Sequence, residues 1–317
     1  MAQKPTIPTQ DTLQFLQAKF NEDVAELTLL SGGDWSQAYS FVHQQQKYVL
    51  RWCHSSETFE KDSRASLLSS DAMPVPKVLD TGRQFDTYFA ITEFAQGKFI
   101  DTLRAAEMTN TLPALFKLFD ALRTTDLSNT SGYGGWDKNG IGSRKSWKDH
   151  LLAVNVDDDP ARFTSGWYSK LANSPVGTTI FDQIYPQFEA LADQCPEVRE
   201  LIHSDLLNRN LLVSDDHISG VIDWQCSLYG DSLYDVAWFI FYEPWYPEFA
   251  AIQLGQKLMA HFEAASAHNQ NVKERLLCYQ MHIALDSIIY NTAKENWKNT
   301  QEVADYALKI LERANNR

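Results

Sequence analysis

The sequence predicts an α+β protein in which a small antiparallel sheet is followed by a mainly helical region. Two observations predict this class. Short apolar runs separated by turns fill residues 27–94, a pattern typical of antiparallel strands. Beyond about residue 100, apolar residues recur at the three- and four-residue spacing of amphipathic helices. The second region is therefore expected to be mainly helical.

The first part of the chain is expected to contain a helix, several strands and a second helix inserted among them. Leu13, Leu16 and Phe20 share one face of the first helix. The inserted helix, at about 57–70, must end before Met73–Pro76, because proline lacks a backbone N–H and restricts the preceding residue. The strands are predicted in LTLLSGGDWSQAYSFV, KYVLRW, VLDTGRQF and YFAITEF.

A change of pattern near Ala95–Gly97 marks a domain boundary. We predict an N-terminal lobe of residues 1–95 and a C-terminal lobe of residues 96–317, with a hinge at about 93–100. In the second lobe, helices are predicted at about 112–122, 146–153, 178–194, 232–242, 250–265, 272–294 and 301–314.

A glycine-rich segment, residues 128–145, is predicted as one long loop. Loops of this length inside compact domains are usually functional or mobile. A substrate lid and a variable surface insertion are both open interpretations. The glycines of the segment are Gly132, Gly134, Gly135, Gly140 and Gly142.

Charge and composition narrow the classes of function. The net charge is −13, and residues 1–100 carry 9 Lys and Arg against 12 Asp and Glu, so most of the excess acid lies in the second lobe. An acidic surface repels nucleic acids and anionic lipids, and neither is an expected partner; no protein partner is implied.

No run approaches the ~20 apolar residues that span a bilayer, and a cytoplasmic location is expected. Four scattered cysteines form no CxxC pair, which argues against a zinc site or a disulfide framework.

The segment LIHSDLLNRNLLVSDDHISGVIDWQ is predicted to carry the chemistry. Its two apolar runs, Leu211–Val213 and Ile218–Ile222, are separated by a polar turn and predict a β-hairpin. Asn210 enters the first strand and Asp223 leaves the second, so antiparallel pairing brings both to one open end, with Asp205 just upstream. Two carboxylates and an amide oxygen are the hard ligands that Mg²⁺ prefers.

The spacing H-x-D-x-x-x-x-N, which runs from His203 to Asn210, is that of a kinase catalytic loop with a further Asp downstream. In phosphoryl transfer, an Asp accepts the proton of the attacking hydroxyl, while an Asn and a second Asp hold Mg²⁺ against the phosphates of ATP. The spacing therefore predicts Asp205 as the catalytic base. It predicts Asn210 and Asp223 as the magnesium ligands.

Further candidates for nucleotide binding lie in the first lobe. Arg51 ends the strand YVLR, where a kinase keeps its phosphate-pairing Lys. Asp62, on the following helix, is predicted to orient Arg51, and Glu60 is the alternative. A turn between two strands can also offer backbone N–H groups to phosphates. The residues assigned to that turn are Ser31, Gly32, Gly33 and Ser36.

The segment GDSLYDVAWFIFYEPWYPE is predicted to contribute to acceptor binding. Aromatic faces and a carboxylate suit a sugar that carries ammonium groups, which favours Tyr242, Glu243 and Trp245 at the end of the predicted helix. Asp231 is assigned to the same site. Asp235 is interpreted instead as an acidic residue that stabilises the helix start. Ordinary packing of the lobe remains the alternative for the aromatic residues.

Several short segments outside the catalytic loop are also distinctive. They are YVLR at 48–51, PVPKVLDTG at 74–82, DLSNTSGYG at 126–134, GIG at 140–142 and CPEVR at 195–199. Together with the block from His203 to Trp245, they make the chain resemble the aminoglycoside phosphotransferase family, from roughly Leu13 to Trp245, and in particular its branch that acts on hygromycin B. The match is weaker over Tyr242–Tyr246 and over residues 128–145.

The resemblance implies a protein-kinase-like fold of two lobes that bind ATP and Mg²⁺. It implies that Glu93 and Ala95 offer backbone groups to adenine, and it gives Asp205, Asn210 and Asp223 the roles stated above. Arg51 departs from the Lys that is usual in kinases, but its planar fork is a competent phosphate partner. The acceptor implied is a cationic aminoglycoside or aminocyclitol antibiotic, hygromycin B in particular, and the implied outcome is antibiotic resistance.

Two alternatives stay open. One is a kinase of the same fold that phosphorylates another amino alcohol, sugar or antibiotic. The other is a catalytically silent nucleotide-binding module, against which the complete set of Asp205, Asn210 and Asp223 argues. A protein kinase is disfavoured, because the segment after Asp223, WQCSLYGDSLYD, provides no D-F-G and leaves little room for an activation loop.

Overall fold

The fold was analysed on a computed structural model that describes residues 4–31, 33–160 and 162–316. Gly32, one of the predicted phosphate-binding residues, lies outside the described residues. The chain divides into two compact units. The first contains residues up to Thr130, Trp136–Ile141 and Asp205–Ser227, and the second contains Ser131–Gly135, Gly142–Ser204 and residues from Leu228 onward.

The first unit is built around a five-stranded antiparallel sheet in the order β1-β2-β3-β5-β4. Phe41, Leu50 and Trp52 of its central strands are fully buried and pack with Leu16 of the first helix. The predicted helix therefore covers one face of the predicted sheet. The strands are β1 (Ala25–Leu29), β2 (Ser36–His43), β3 (Gln46–Cys53), β4 (Val78–Gln84) and β5 (Thr87–Glu93).

The same unit holds a second, three-stranded sheet in the order β11-β10-β6. Its strands are β6 (Lys98–Phe99), β10 (Leu211–Ser214) and β11 (His217–Val221). The helices of the unit are α1 (Thr9–Lys19), α2 (Glu57–Ser66) and α3 (Ala105–Thr124). β10 and β11 form an antiparallel hairpin with the turn at one end. The residues that precede β10 and those that follow β11 therefore lie at the other, open end.

The second unit is mainly helical, with one small sheet in the order β8-β7-β12-β9. Its strands are β7 (Tyr133–Trp136, whose last residue falls in the first unit), β8 (Gly142–Arg144), β9 (Glu200–Ile202) and β12 (Leu228–Gly230). Its helices are α4 (Trp147–Leu152), α5 (Trp167–Ala172), α6 (Thr179–Ala192), α7 (Leu233–Tyr242), α8 (Pro247–Ala251), α9 (Leu254–Ala265), α10 (Val272–Ala293) and α11 (Trp297–Asn315).

The expectation of one long loop at residues 128–145 was wrong, because the segment contains β7 and β8. Glycine is depleted in strands, so a glycine-rich segment does not show a strand pattern in the sequence. Here the glycines allow close approach: a Cβ at Gly142 would collide with the backbone of Gly132 and Tyr133, and Gly132 has φ +71°. The glycines that predicted a loop therefore allow two backbone segments to lie close together.

One helix prediction was wrong in its continuity, and one helix was missed. The helix expected at 250–265 is divided into α8 and α9, because Gln253 adopts the left-handed conformation with φ 55° between them. The short helix α5 was not predicted. No helix within the described residues is long and apolar enough to cross a membrane.

The predicted α+β class, with an antiparallel sheet first and helices later, is confirmed. The predicted N-terminal lobe, residues 1–95, lies wholly within the first compact unit, which also includes the β10–β11 hairpin. The boundary near the hinge at 93–100 stays a prediction.

Candidate active site

The predicted catalytic hairpin is formed by β10 and β11, which pair antiparallel with Leu211 opposite Val221. The pairing extends one step past the strands, because the N–H of Ile222 donates to the carbonyl oxygen of Asn210 at 2.8 Å. Asn210 and the residue after Ile222, Asp223, therefore stand together at the open end of the hairpin. The convergence predicted from sequence is present in the structure.

Asp205 is held in place by two asparagine amides. Nδ2 of Asn210 donates to Oδ2 of Asp205 at 2.9 Å and to its carbonyl oxygen at 2.7 Å. Nδ2 of Asn208 donates to the other carboxylate oxygen, Oδ1. Asn208 was not predicted, because the H-x-D-x-x-x-x-N spacing leaves its position open. Both oxygens of Asp205 are thereby oriented.

Strained backbone marks the same segment. Ser204 and Arg209 have φ 60°, and Asp223 has φ 59°. Non-glycine residues rarely adopt such angles, which cost of order 1–3 kcal/mol each and cluster at functional sites. The strain flanks Asp205 on both sides and lies at Asp223 itself. No sequence signal predicted it.

In the second unit, Asp235 fixes the backbone that leads into Asp205. Its Oδ2 and Oδ1 accept the N–H groups of His203 at 2.9 Å and Ser204 at 2.7 Å. The side chain is buried, and burial raises its pKa to about 7. Asp235 lies in the first turn of α7, as interpreted from sequence, and its oxygens in addition accept from a loop distant in the chain.

Arg51 is surrounded by the three side chains expected near a phosphate-binding cation. Its Nη1 donates to Oδ2 of Asp62 at 2.6 Å, its Nη2 lies 3.6 Å from Oδ2 of Asp223, and its Nε donates to Oγ of Ser36 at 3.4 Å. Burial disfavours the charge of Arg51, but the two carboxylates outweigh it and raise the pKa. Glu60, the alternative partner, lies instead 3.7 Å from Lys138.

Two neighbouring residues of α2 also hold the backbone that follows Asp223. Oδ1 of Asp62 accepts the N–H of Trp224 at 3.0 Å. Nζ of Lys61 donates to the carbonyl oxygens of Gln225 at 2.7 Å and Ser227 at 3.0 Å. Burial lowers the pKa of Lys61 to about 8. Asp62 thus links Arg51 to the Asp223 segment, a contact that the sequence did not indicate.

The side-chain oxygens of Asn210 and Asp223, at the open end of the hairpin, are suited to bind a magnesium ion. Both hydrogens of the Asn210 amide point toward Asp205, so its Oδ1 is the atom left to ligate a cation. In the described part of the chain, no three His, Cys, Asp or Glu side chains are arranged to hold a metal. Mg²⁺ is commonly held by one or two protein ligands together with substrate phosphates and water.

The residues predicted to contact adenine lie at the end of β5. The N–H of Glu93 donates to the carbonyl oxygen of Lys77 at 3.1 Å, and Glu93 pairs with Tyr48 of β3. Ala95 packs so closely on Gly220 of β11 that a side chain at Gly220 would collide with it. The turn residues Ser31 and Gly33 are exposed.

Asp231 is engaged inside the second unit. It is 0% exposed, and Arg275 donates to it from Nε at 2.7 Å and from Nη2 at 2.8 Å. The hydroxyl of Tyr279 donates to Oδ2 at 2.6 Å. A carboxylate so enclosed cannot reach a bound acceptor, so we revise its assignment to an internal anchor. The sequence placed it correctly at a helix start but gave no sign of Arg275.

The three other predicted acceptor residues contact different helices. The hydroxyl of Tyr242 shares a hydrogen bond with Ser287 of α10. Oε1 of Glu243 accepts the N–H of Gly255 in α9 at 3.0 Å. Trp245 is 39% exposed and stacks edge-on against Tyr306 with ring centroids 5.0 Å apart. Their role in acceptor binding stays a prediction.

The chain matches the APH phosphotransferase enzyme family over residues 26–268. It belongs to this family. It is 30% identical over 296 residues to the hygromycin-B 4-O-kinase of Escherichia coli, an alignment that covers 93% of this chain and 82% of that enzyme. The recognition of an aminoglycoside phosphotransferase from the sequence is confirmed.

Solved structures of the aminoglycoside phosphotransferase APH(4)-Ia are similar to this family member. One, a thermostable mutant in a ternary complex with AMP-PNP and hygromycin B, has a TM-score of 0.82 at 30% identity, with 95% of this chain and 98% of that chain covered. Another, with ADP and hygromycin B, has the same TM-score at 29% identity and covers 95% and 98%. The predicted kinase-like fold is confirmed, and the phosphotransferase acts on a hydroxyl group.

Proposed function

We propose that this phosphotransferase transfers the γ-phosphoryl group of ATP to a ring hydroxyl of hygromycin B or a closely related aminocyclitol antibiotic, with Mg²⁺, in the cytoplasm. The observation that carries the reaction type is the convergence of Asp205, Asn210 and Asp223 at one end of a hairpin, with Arg51 beside Asp223. The similar hygromycin-B 4-O-kinase and the APH(4)-Ia complexes support this acceptor.

Asp205 is the group proposed to receive the proton. In the transfer, an oxygen of the acceptor forms a bond to the γ-phosphorus, the bond from that phosphorus to the bridging oxygen of ADP breaks, and the hydroxyl proton passes to a carboxylate oxygen of Asp205. Because Asn208 and Asn210 hold both carboxylate oxygens, the base keeps one orientation without substrate. Positioning of this kind supplies much of the catalysis in phosphoryl transfer.

The negative charge of ATP is countered by Arg51 and by the metal. Arg51 presents a planar fork suited to phosphate oxygens, and Asp62 holds that fork at 2.6 Å. Asn210 and Asp223 are the residues that would hold Mg²⁺, which supplies electrostatic stabilisation of phosphate charge when bound. The turn containing Ser31 and Gly33, Ser36, and the backbone of Glu93 and Ala95 complete the proposed nucleotide site.

The acceptor side is proposed to lie in the helical second unit. Most of the net charge of −13 belongs to residues beyond 100, so the field of this region attracts a polycation. Tyr242 and Trp245, whose ring centroids are 5.8 Å apart, offer aromatic surface to sugar faces. Glu243 remains a candidate ammonium partner through the oxygen that does not accept from Gly255. A phosphate added to such an antibiotic would weaken its hold on polyanionic RNA.

We expect purified enzyme to consume ATP in the presence of hygromycin B and Mg²⁺, and to yield a product heavier by one phosphoryl group. Mass spectrometry of the antibiotic and a coupled ADP assay measure this directly. A panel that includes spectinomycin, an amino alcohol and a neutral sugar separates the alternatives. Turnover of a panel member without turnover of hygromycin B would keep the kinase but reject the antibiotic proposed. No turnover of any member would favour a silent binding module.

We expect Arg51→Ala to raise KM for ATP by roughly 10- to 100-fold, because hydrogen bonds to charged groups contribute about 1.5–3 kcal/mol. Arg51→Lys should recover part of the loss, since it keeps the charge but lacks the fork. Steady-state kinetics with varied ATP provide the measurement. Arg83→Ala, which removes an exposed arginine of β4, is the matched control. A folded Arg51→Ala variant with wild-type KM for ATP would contradict the assignment.

A further inference from the structure

The turn between β7 and β8, residues Trp136–Ile141, contains none of the residues assigned to ATP, Mg²⁺ or the acceptor. It falls in the same compact unit as α2. Within the turn, the N–H of Asp137 donates to the carbonyl oxygen of Ile141 at 3.1 Å, and the N–H of Gly140 donates to the carbonyl oxygen of Asp137 at 2.8 Å. Oδ1 of Asp137 also accepts the N–H of Ile141 at 2.9 Å. These bonds restrain the conformation of the β7–β8 turn.

Arg64, in the last turn of α2, lies directly against the β7–β8 turn. A Cβ at Gly140 would be 2.3 Å from Nη2 and 2.5 Å from Cζ of Arg64, so the glycine backbone and the guanidinium are in contact. Gly140 has φ +76°, and both this angle and the lack of space favour glycine. Nη1 of Arg64 also donates to the carbonyl oxygen of Lys138 at 3.4 Å. Arg64 therefore joins α2 to the backbone of the turn.

Lys61 and Trp136 form a second contact between α2 and the turn. Their side chains are buried, at 3% and 2% exposure, and Nζ of Lys61 lies 4.8 Å from the centroid of the indole ring. Cation–π contacts are strongest when they are desolvated. Glu60 and Lys138 add an ion pair at 3.7 Å, but exposed pairs of this kind contribute little. The turn therefore contacts α2 along one full helical turn.

The helix α2 also carries the residue that orients Arg51. Asp62 accepts from Nη1 of Arg51 at 2.6 Å and from the N–H of Trp224 at 3.0 Å. Because Asp62 stands between Lys61 and Arg64 in the same helix, a shift of α2 that breaks the contacts with the turn also moves Asp62. In kinases, the carboxylate that pairs with the phosphate-binding cation must be in place for activity. The position of α2 therefore determines how Arg51 is presented to phosphate oxygens.

We propose that the β7–β8 turn holds α2 in place and thereby positions the Asp62–Arg51 pair for ATP, which makes Trp136 and Arg64 positioning residues. This rests on the proposed function in one respect, the assignment of Arg51 to the phosphates of ATP. If only a fraction of the molecules hold α2 in place, the apparent affinity for ATP falls by that fraction. The glycine-rich segment is then neither a substrate lid nor a variable insertion without function.

We expect Trp136→Leu to raise KM for ATP by roughly 5- to 30-fold, the factor that corresponds to loss of a desolvated cation–π contact. Arg64→Ala should raise it by roughly 3- to 10-fold, the range for loss of a hydrogen bond. The kcat at saturating ATP and the KM for the acceptor should not change. Trp136→Phe and Arg64→Lys should recover part of each loss, because they keep an aromatic face and a charge. Lys138→Ala, which removes only the exposed ion pair, is the matched control.

The same substitutions in an Arg51→Ala background separate positioning from a merely structural role. In that background, Trp136→Leu and Arg64→Ala should leave KM for ATP unchanged, because the residue through which the turn acts is absent. Isothermal titration with AMP-PNP and Mg²⁺ makes the same comparison without an acceptor. If Trp136→Leu does not fold, Arg64→Ala decides the matter, because its side chain is only half-buried.

Folded variants of Trp136 and Arg64 that bind AMP-PNP like the wild type, while Arg51→Ala binds it weakly, would overturn this inference and leave the proposed function intact. An equal loss of affinity in the Arg51→Ala background would also overturn it. A raised KM for the acceptor alone would identify the segment as a substrate lid instead. Wild-type binding of AMP-PNP by Arg51→Ala would reject the assignment of Arg51 and this inference together.

Discussion

Asp205→Asn is expected to lower kcat by roughly 10²–10⁴, the range for loss of general-base catalysis. Asparagine keeps the size of the side chain but cannot accept the proton of the attacking hydroxyl. The KM for ATP should change little, because Arg51 and the proposed metal ligands remain. Single-turnover kinetics with saturating ATP measure the chemical step apart from product release.

The matched control for Asp205 is Asp216→Asn in the turn of the same hairpin. Asp216 is exposed and has φ 61°, a conformation that asparagine tolerates well. This control should retain wild-type kcat. Near wild-type kcat in a folded Asp205→Asn variant would show that another group accepts the proton.

Arg275→Met is expected to lower the free energy of unfolding by about 3–5 kcal/mol, the usual cost of breaking a buried ion pair. Asp231 and Arg275 are each 0% exposed, so methionine would leave the carboxylate buried with only Tyr279 and backbone N–H donors. The arginine also donates to the carbonyl oxygens of His268 and Gln270, so the segment between α9 and α10 would lose its anchor.

Differential scanning calorimetry provides the measurement, and a fall in Tm of roughly 5–15 °C is expected. Lys273→Met, on an exposed position two residues earlier in α10, should cost little. The double variant Asp231→Leu with Arg275→Met should be more stable than Arg275→Met alone, because no charge is then left unpaired. Equal Tm values for Arg275→Met and the wild type would show that the pair is not an anchor.

The chemistry of the hairpin could be predicted from sequence because its parts are close in the chain. Asp205, Asn210 and Asp223 lie within one short segment, and the period-two pattern of two strands fixes which ends meet. Local turn chemistry and strand alternation are sufficient for this arrangement. For the same reason the strands of the first sheet and most long helices were predicted close to their observed bounds.

Contacts between residues that are far apart in the sequence were revealed only by the tertiary structure. The contact between Asp62 and Trp224 joins residues 162 positions apart, and that between Asp231 and Arg275 joins residues 44 apart. From the sequence alone, an Asp or Arg is expected at the surface, because charged side chains are almost never fully buried unless they are paired. Since the pairing depends on how the helices pack, local pattern could not show that Asp231 is an internal anchor.

The strands β7 and β8 show the same division. Sequence determined the reaction type, the helical periodicity and the acidic character of the second lobe, all of which depend on local spacing or on composition. Tertiary structure decided that a glycine-rich segment pairs with β12, since glycine permits but does not specify a strand.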